Sequence, residues 1–192
     1  DIWNGVVSKF PNARLAIIGK GNEEVIKQIK SSFFGYGIRN TVDFLGFLES
    51  SEAYSYMKSA KVFIFPSHEE GWGIAVADAM ACGLSVVTYD LPVFKYIFNG
   101  INCEVPLRDV SRMAEITIDL LSNNILRQEL STEGKKLVFE RYIWESVAKR
   151  ELMILKKWRE FSGKVQKYVS IICHADIQFK KNNVISTESN TS

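Results

Sequence analysis

Apolar residues along the chain fall into short blocks that alternate with stretches of helical periodicity. The blocks predict strands at 14–19, 41–45, 61–66 and 85–88, with a weaker pattern at 102–105. Between them, the periodic stretches predict helices at 23–34, 50–59 and 73–82, and a short one near 92–98. Strands separated by helix-length segments make a parallel α/β sheet, because each crossover carries the chain back to the same end of the sheet. Three further helices, at 110–122, 125–139 and 143–159, follow one another without strands and form a C-terminal helical flank. Ser50-Ser51 ahead of Glu52, and Asp109 ahead of the next apolar periodicity, read as helix caps, and Gly83 is placed to end the helix that starts near Gly73. No internal repeat is visible.

With 192 residues the chain holds one domain, over 1–162, and a tail over 163–192. The tail is polar and is expected to be largely disordered, with 168–173 as an exception that reads as a strand or a packing segment. The net charge of +2 gives no basis for nucleic-acid binding. Three cysteines (Cys82, Cys103, Cys173) lack metal-ligand spacing, which suits a reducing compartment. The first residues show no export signal, and no apolar run reaches the length of a membrane span. A cytoplasmic location follows, and the inner face of a membrane stays open with it.

The segment from Phe65 to Val87 is the most informative. It reads as a strand, a turn with glycines at 71 and 73, a helix of small residues, and a second strand. Glu70 stands in the turn and Asp78 about one turn into the helix. Carboxylates accept hydrogen bonds from hydroxyls, and the free N–H groups at a helix N-terminus attract phosphate. Together they suit a hydroxyl-rich, phosphorylated ligand. Two adjacent carboxylates and two glycines around Trp72 exceed what turning alone requires. Asp78 interrupts an otherwise small or apolar helix, so it faces a cleft or meets a partner.

Elsewhere the residues leave alternatives open. Gly19-Lys20-Gly21 after a strand resembles the start of a dinucleotide fingerprint, but position 24 is Glu rather than glycine, and a tight turn explains the pattern as well. Gly46 and Phe47 stand at the C-terminal end of their strand, where Phe47 either lies beside a nucleobase or covers the sheet edge. His68 reads as a solvated loop residue. Tyr142, Trp144, Trp158 and Phe161 read as packing surfaces, and Lys156, Lys157 and Arg159 as a solvated face or a membrane-surface patch.

The order and spacing of these motifs resemble the C-terminal donor-binding domain of the group 1 (family four) retaining glycosyltransferases of GT-B fold. The resemblance runs from Trp3 to about Trp158. It rests on Pro11-Asn12-Ala13-Arg14-Leu15 before Ile18-Gly19-Lys20-Gly21, on Val42-Asp43-Phe44-Leu45-Gly46, and on Pro66-Ser67 with Glu70-Gly71-Trp72-Gly73. It continues through Asp78-Ala79-Met80-Ala81-Cys82-Gly83, Asn99-Gly100-Ile101-Asn102 and Tyr142-Ile143-Trp144-Glu145.

The resemblance implies a Rossmann-like parallel sheet flanked by helices, and sugar transfer from a nucleotide-diphosphate donor with retention at the anomeric carbon. It implies no resident cofactor and no metal. Glu70 would meet the hydroxyls of the transferred sugar as the catalytic-site carboxylate. Asp78, where the family has a second glutamate, would meet the ribose. Gly71, Trp72, Gly73 and Ile74 would contact sugar and diphosphate, and Gly19, Gly21, Gly46 and Phe47 would line the nucleotide side. The acceptor would be a saccharide or a lipid-linked glycan, with peripheral membrane association. Two departures stand out: Lys95 where the family often has an acidic residue, and Leu84-Ser85 in place of a proline turn. The family's diphosphate-neutralising arginine and lysine, its first strand and its acceptor domain would lie upstream of Asp1, so the chain alone is expected to be inactive. Three other readings remain: a non-catalytic nucleotide-sugar-binding module derived from such an enzyme, half of a dinucleotide-dependent oxidoreductase, and a docking protein with a vestigial cleft. The missing third glycine argues against the oxidoreductase.

Overall fold

The computed structural model describes residues 1–162, which form parallel strands flanked by helices. The expectations for 163–192, including the strand at 168–173 and Cys173, lie outside the described residues. Residues 1–142 make one compact unit, and 143–162 belong to a second.

The chain opens with α1 (Ile2–Lys9), followed by β1 (Leu15–Ile18), α2 (Glu23–Gly35) and β2 (Val42–Gly46). Then come α3 (Ser50–Ser59), β3 (Val62–Phe65), α4 (Ile74–Ala81), β4 (Ser85–Tyr89), α5 (Pro92–Phe98) and β5 (Cys103–Val105). The unit closes with α6 (Val110–Ser122) and α7 (Asn124–Arg141). All the strand pairs are parallel, as the alternation with helices required.

The hydrogen bonds divide the strands into two groups: β1 with β2, and β3-β4-β5 with β4 in the centre. Every residue of β4 is buried. Successive strand residues point to opposite faces, so both faces of β4 are covered. Its neighbours in the core include Val76, Met80, Phe94, Phe98 and Met113. A second cluster gathers Trp3 and Val6 of α1 with Ala114 of α6, and Leu15, Val42 and Ile64 pack against it. One helical layer therefore bridges the two strand groups.

Local structure differs from expectation in two places and agrees with it in two others. Helix α1 was not foreseen; its Trp3 and Val6 anchor it, and the Trp3 indole N–H donates to Thr41 Oγ1 at 2.9 Å. The cap expected at Ser50 is absent, because Ser50 is already helical and extended Glu49 precedes it without a side-chain cap. Asp109 does cap α6 by accepting from Arg112 N–H at 2.9 Å. Gly83, at φ +86°, ends α4: its N–H bonds to Met80 O, and Leu84 N–H reaches back to Ala79 O.

The second unit contains a helix over 144–162. Here Trp144, Trp158 and Phe161 are exposed rather than packed, at 85%, 65% and 60%. The packing expectation holds for Tyr142 alone, which ends the first unit. Among the described residues, no helix is long and apolar enough to cross a membrane.

Candidate functional site

The site is assembled at the C-terminal ends of the strands, where ligands of parallel sheets bind because the following helix N-termini converge there. After β3 the chain passes through Ser67, His68 and Glu69 to Glu70, which is half-buried. Ser67 Oγ donates to Glu69 O at 2.9 Å and closes this short bend. His68 is exposed, with its ring 5.5 Å from that of Tyr89.

Gly71 and Gly73 differ in kind. Gly73 lies at φ +93°, and a Cβ there would stand 2.7 Å from Phe94 Cε1 and 3.4 Å from Phe98 Cε2. Backbone and packing both demand glycine at that position. At Gly71 a Cβ would meet nothing within 4 Å, and the backbone is not left-handed. The fold gives no reason for glycine there, whereas a ligand lying close to the chain would.

Gly73 is the N-cap of α4, and no side chain caps the helix. Its carbonyl accepts from Val76 N–H and Ala77 N–H, so the first amides of the helix stay available to an anion. Ile74 is 70% exposed, and Asp78, one turn on, lies on the same side. Val76, Ala77, Ala79 and Met80 take the buried side. Partial burial pushes the Asp78 carboxyl above its usual range. None of the hydrogen bonds or ion pairs of the described residues engages it, so it keeps its acceptor capacity.

The other wall comes from β1 and β2. Gly19, at φ +136°, donates its N–H to Gly46 O at 2.7 Å, which ties the two strand ends together. Gly46 is itself left-handed at φ +69°. Phe47 is 57% exposed, and the Lys20 ammonium lies 4.7 Å from its ring centroid. This cation–aromatic pair puts one positive charge beside the aromatic platform. Gly21 sits against Ile26 of α2, with 3.4 Å from a Cβ to Ile26 Cγ1.

Sequence reasoning missed Phe94 and Phe98 in the supporting shell behind the turn, and read Tyr142 only as a packing surface. Trp72 meets Phe98 and Tyr142 edge-on, with ring centroids 6.0 and 5.0 Å apart. The aromatic clustering at 94–98 was available as a signal, but it reads equally as ordinary core. A separate open cavity of about 770 Å³ lies at the opposite, N-terminal ends of β1 and β2. It is lined by Arg14, Lys30, Arg39 and Phe44 among others, and includes none of the expected donor-binding residues.

Parallel strands flanked by helices, with an uncapped helix N-terminus and two carboxylates at the strand ends, define a Rossmann-like α/β domain. Residues 4–137 match the family described as "Glycosyl transferases group 1", and the chain belongs to that family. A phosphatidyl-myo-inositol mannosyltransferase of Mycobacterium leprae is 31% identical over 169 residues, covering 86% of this chain and 44% of that protein. The chain thus spans under half the length of the curated relatives it matches. Among solved structures, a sucrose-phosphate synthase from Thermosynechococcus elongatus superposes with a TM-score of 0.71 at 20% identity, over 83% of this chain and 42% of that one. An Anabaena protein, HepE, crystallised with UDP, gives a TM-score of 0.70 at 15% identity, over 80% of this chain and 44% of that one. These likenesses establish the fold, that of a GT-B glycosyltransferase domain.

Proposed function

We propose that this chain is the donor-binding half of a retaining glycosyltransferase and holds a nucleotide-diphosphate sugar between the 70–74 turn and the ends of β1 and β2. The observation that carries the reading is the turn itself. Glu70 precedes, and Asp78 follows, an uncapped helix start whose Gly71 is free of any structural requirement.

Each residue then has a task. Asp78 accepts from the ribose hydroxyls, and Glu70 from hydroxyls of the transferred sugar. The amides of Trp72, Gly73 and Ile74 receive the sugar and diphosphate. Phe47 and Gly46 lie by the base, while Lys20 supplies positive charge toward the phosphates. A helix end contributes about 0.3–1 kcal/mol toward an anion, rising to about 2 kcal/mol when partly buried. Such preorganised dipoles oppose the charge that develops on the departing diphosphate without reorganising during the reaction. No metal or cofactor is assigned a role. The acceptor is a saccharide or a lipid-linked glycan; the name of the 31% identical relative, a phosphatidyl-myo-inositol mannosyltransferase, supports the lipid-linked choice. Exposed Trp144, Trp158 and Phe161 beside Lys156, Lys157 and Arg159 support peripheral membrane contact on the cytoplasmic side.

Calorimetric titration of the chain with UDP, GDP and ADP tests the reading. One of the three should bind saturably, and Asp78→Ala should weaken that binding. Absence of saturable binding by all three would remove the proposal.

A further inference from the structure

We propose that Tyr142 is a positioning residue for the donor turn: it holds Trp72, and through it the amides of Trp72, Gly73 and Ile74, in the geometry that receives sugar and diphosphate. The inference rests on the donor-site reading above and assigns to that site a residue outside the turn and α4.

Trp72 stands between two glycines, so the backbone on either side of it has the widest conformational freedom the chain allows. Ordering such a segment has an entropic cost that something must offset. On the C-terminal side, Gly73 is wedged against Phe94 and Phe98. On the N-terminal side, a Cβ on Gly71 would meet nothing within 4 Å, so packing against the turn there comes through the Trp72 side chain. Among the described residues, two aromatic rings meet the indole, both edge-on: Phe98 at 6.0 Å and 74°, and Tyr142 at 5.0 Å and 87°. Edge-to-face contacts of this kind favour one ring orientation over others.

The Tyr142 ring can act as a wall because it is anchored at both ends. Its backbone N–H closes α7 on Val138 O at 2.8 Å, and its hydroxyl donates to Ile97 O at 2.6 Å. Ile97 lies in the last turn of α5, whose carbonyls lack partners within their own helix. The same hydroxyl therefore steadies the turn of α5 that carries Phe98. Trp72 keeps 37% of its surface exposed, so the aromatic wall backs it on one side and leaves the other open.

The test compares Tyr142→Leu, which removes the ring, with Tyr142→Phe, which removes only the hydroxyl. UDP-glucose, GDP-mannose and ADP-glucose are titrated beside UMP, GMP and AMP. For the pair that binds wild type, Tyr142→Leu should lose about tenfold in affinity for the nucleotide sugar, the order an aromatic contact of this type supplies. The monophosphate, held by Asp78 and the β2 end, should change less than about twofold, and Tyr142→Phe should restore most of the loss. Equal losses on both ligands, or none on the sugar nucleotide, would overturn the assignment. A ligand-free measurement stands beside it. Hydrogen exchange at residues 71–74 should quicken in Tyr142→Leu while β4 stays protected, and unchanged exchange there would overturn the assignment too. Failure of wild type to bind any probe would instead bring down the donor-site reading, and the role of Tyr142 with it.

Discussion

Gly73 rests directly on Phe94: a Cβ at position 73 would come within 2.7 Å of the ring's Cε1. Phe94 is fully buried and packs against Phe65 and Phe98. Gly73→Ala adds left-handed backbone strain to this clash, so a loss of roughly 2–4 kcal/mol is expected. Differential scanning calorimetry should show a clear fall in Tm. A Tm within one or two degrees of wild type would mean that the turn is looser than its packing indicates.

Gly71 should behave in the opposite way. With open space around it and no positive φ, Gly71→Ala should fold with unchanged Tm. If a donor lies against the backbone there, the same methyl should weaken nucleotide-sugar binding by about tenfold, the equivalent of 1.4 kcal/mol. Unchanged binding would place the ligand elsewhere.

Strand positions were legible because buried parallel strands need continuous apolar blocks, as in Val86-Val87. The division of the strands into two groups was not, since no local pattern encodes which strand pairs with which. Helix α1 was hidden because Ile2–Lys9 contains a glycine, lacks a side-chain cap and buries few residues. The site was legible as composition, in Glu70, Asp78 and the paired glycines. The difference between Gly71 and Gly73 was not, because it depends on Phe94, about twenty residues further along.

On the proposed function, the two carboxylates should divide their labour in a transferase that contains this chain. Glu70→Ala should abolish sugar transfer and leave nucleoside diphosphate affinity within about twofold. Asp78→Ala should weaken the nucleotide itself, by about tenfold for a lost charged hydrogen bond. Equal losses of nucleotide affinity would refute this division.

Burial raises the carboxyl pKa of Asp78 and also that of Glu104, where Lys95 opposes the shift and Asp90 adds to it. A folded-state pKa above the unfolded one means that the folded chain binds more protons between the two values. The stabilisation from protonation is complete below the unfolded values and is lost as pH rises through the raised ones. Without ligand, Tm should therefore rise modestly on acidification from neutrality to about pH 5, just above the ordinary carboxylate values. The combined Asp78→Asn and Glu104→Gln variant should flatten that slope. An unaltered slope would assign the effect to other groups.

Among the described strands, β1 pairs only with β2 and β3 only with β4, so each offers one edge of unpaired peptide groups. Such edges recruit further strands. Residues 1–192 should show concentration-dependent association by size-exclusion chromatography with light scattering. A single monomeric peak across a hundredfold concentration range would show that the edges are covered.

The α1–α6 contact also governs how the two walls of the site can move. A Cβ on Gly5 would stand only 2.9 Å from the Cβ of Ala114, so the two helices touch almost backbone to backbone. Phe47 follows the first strand group, and Glu70 and Asp78 belong to the second. Among the described residues no peptide ladder joins these groups, and side-chain packing couples them. Widening or narrowing the space between the walls is then a shear of one helix along another, which breaks no sheet hydrogen bond. At Gly5 and Ala114 only small residues meet across that seam, so no long side chain stands in the way of such sliding.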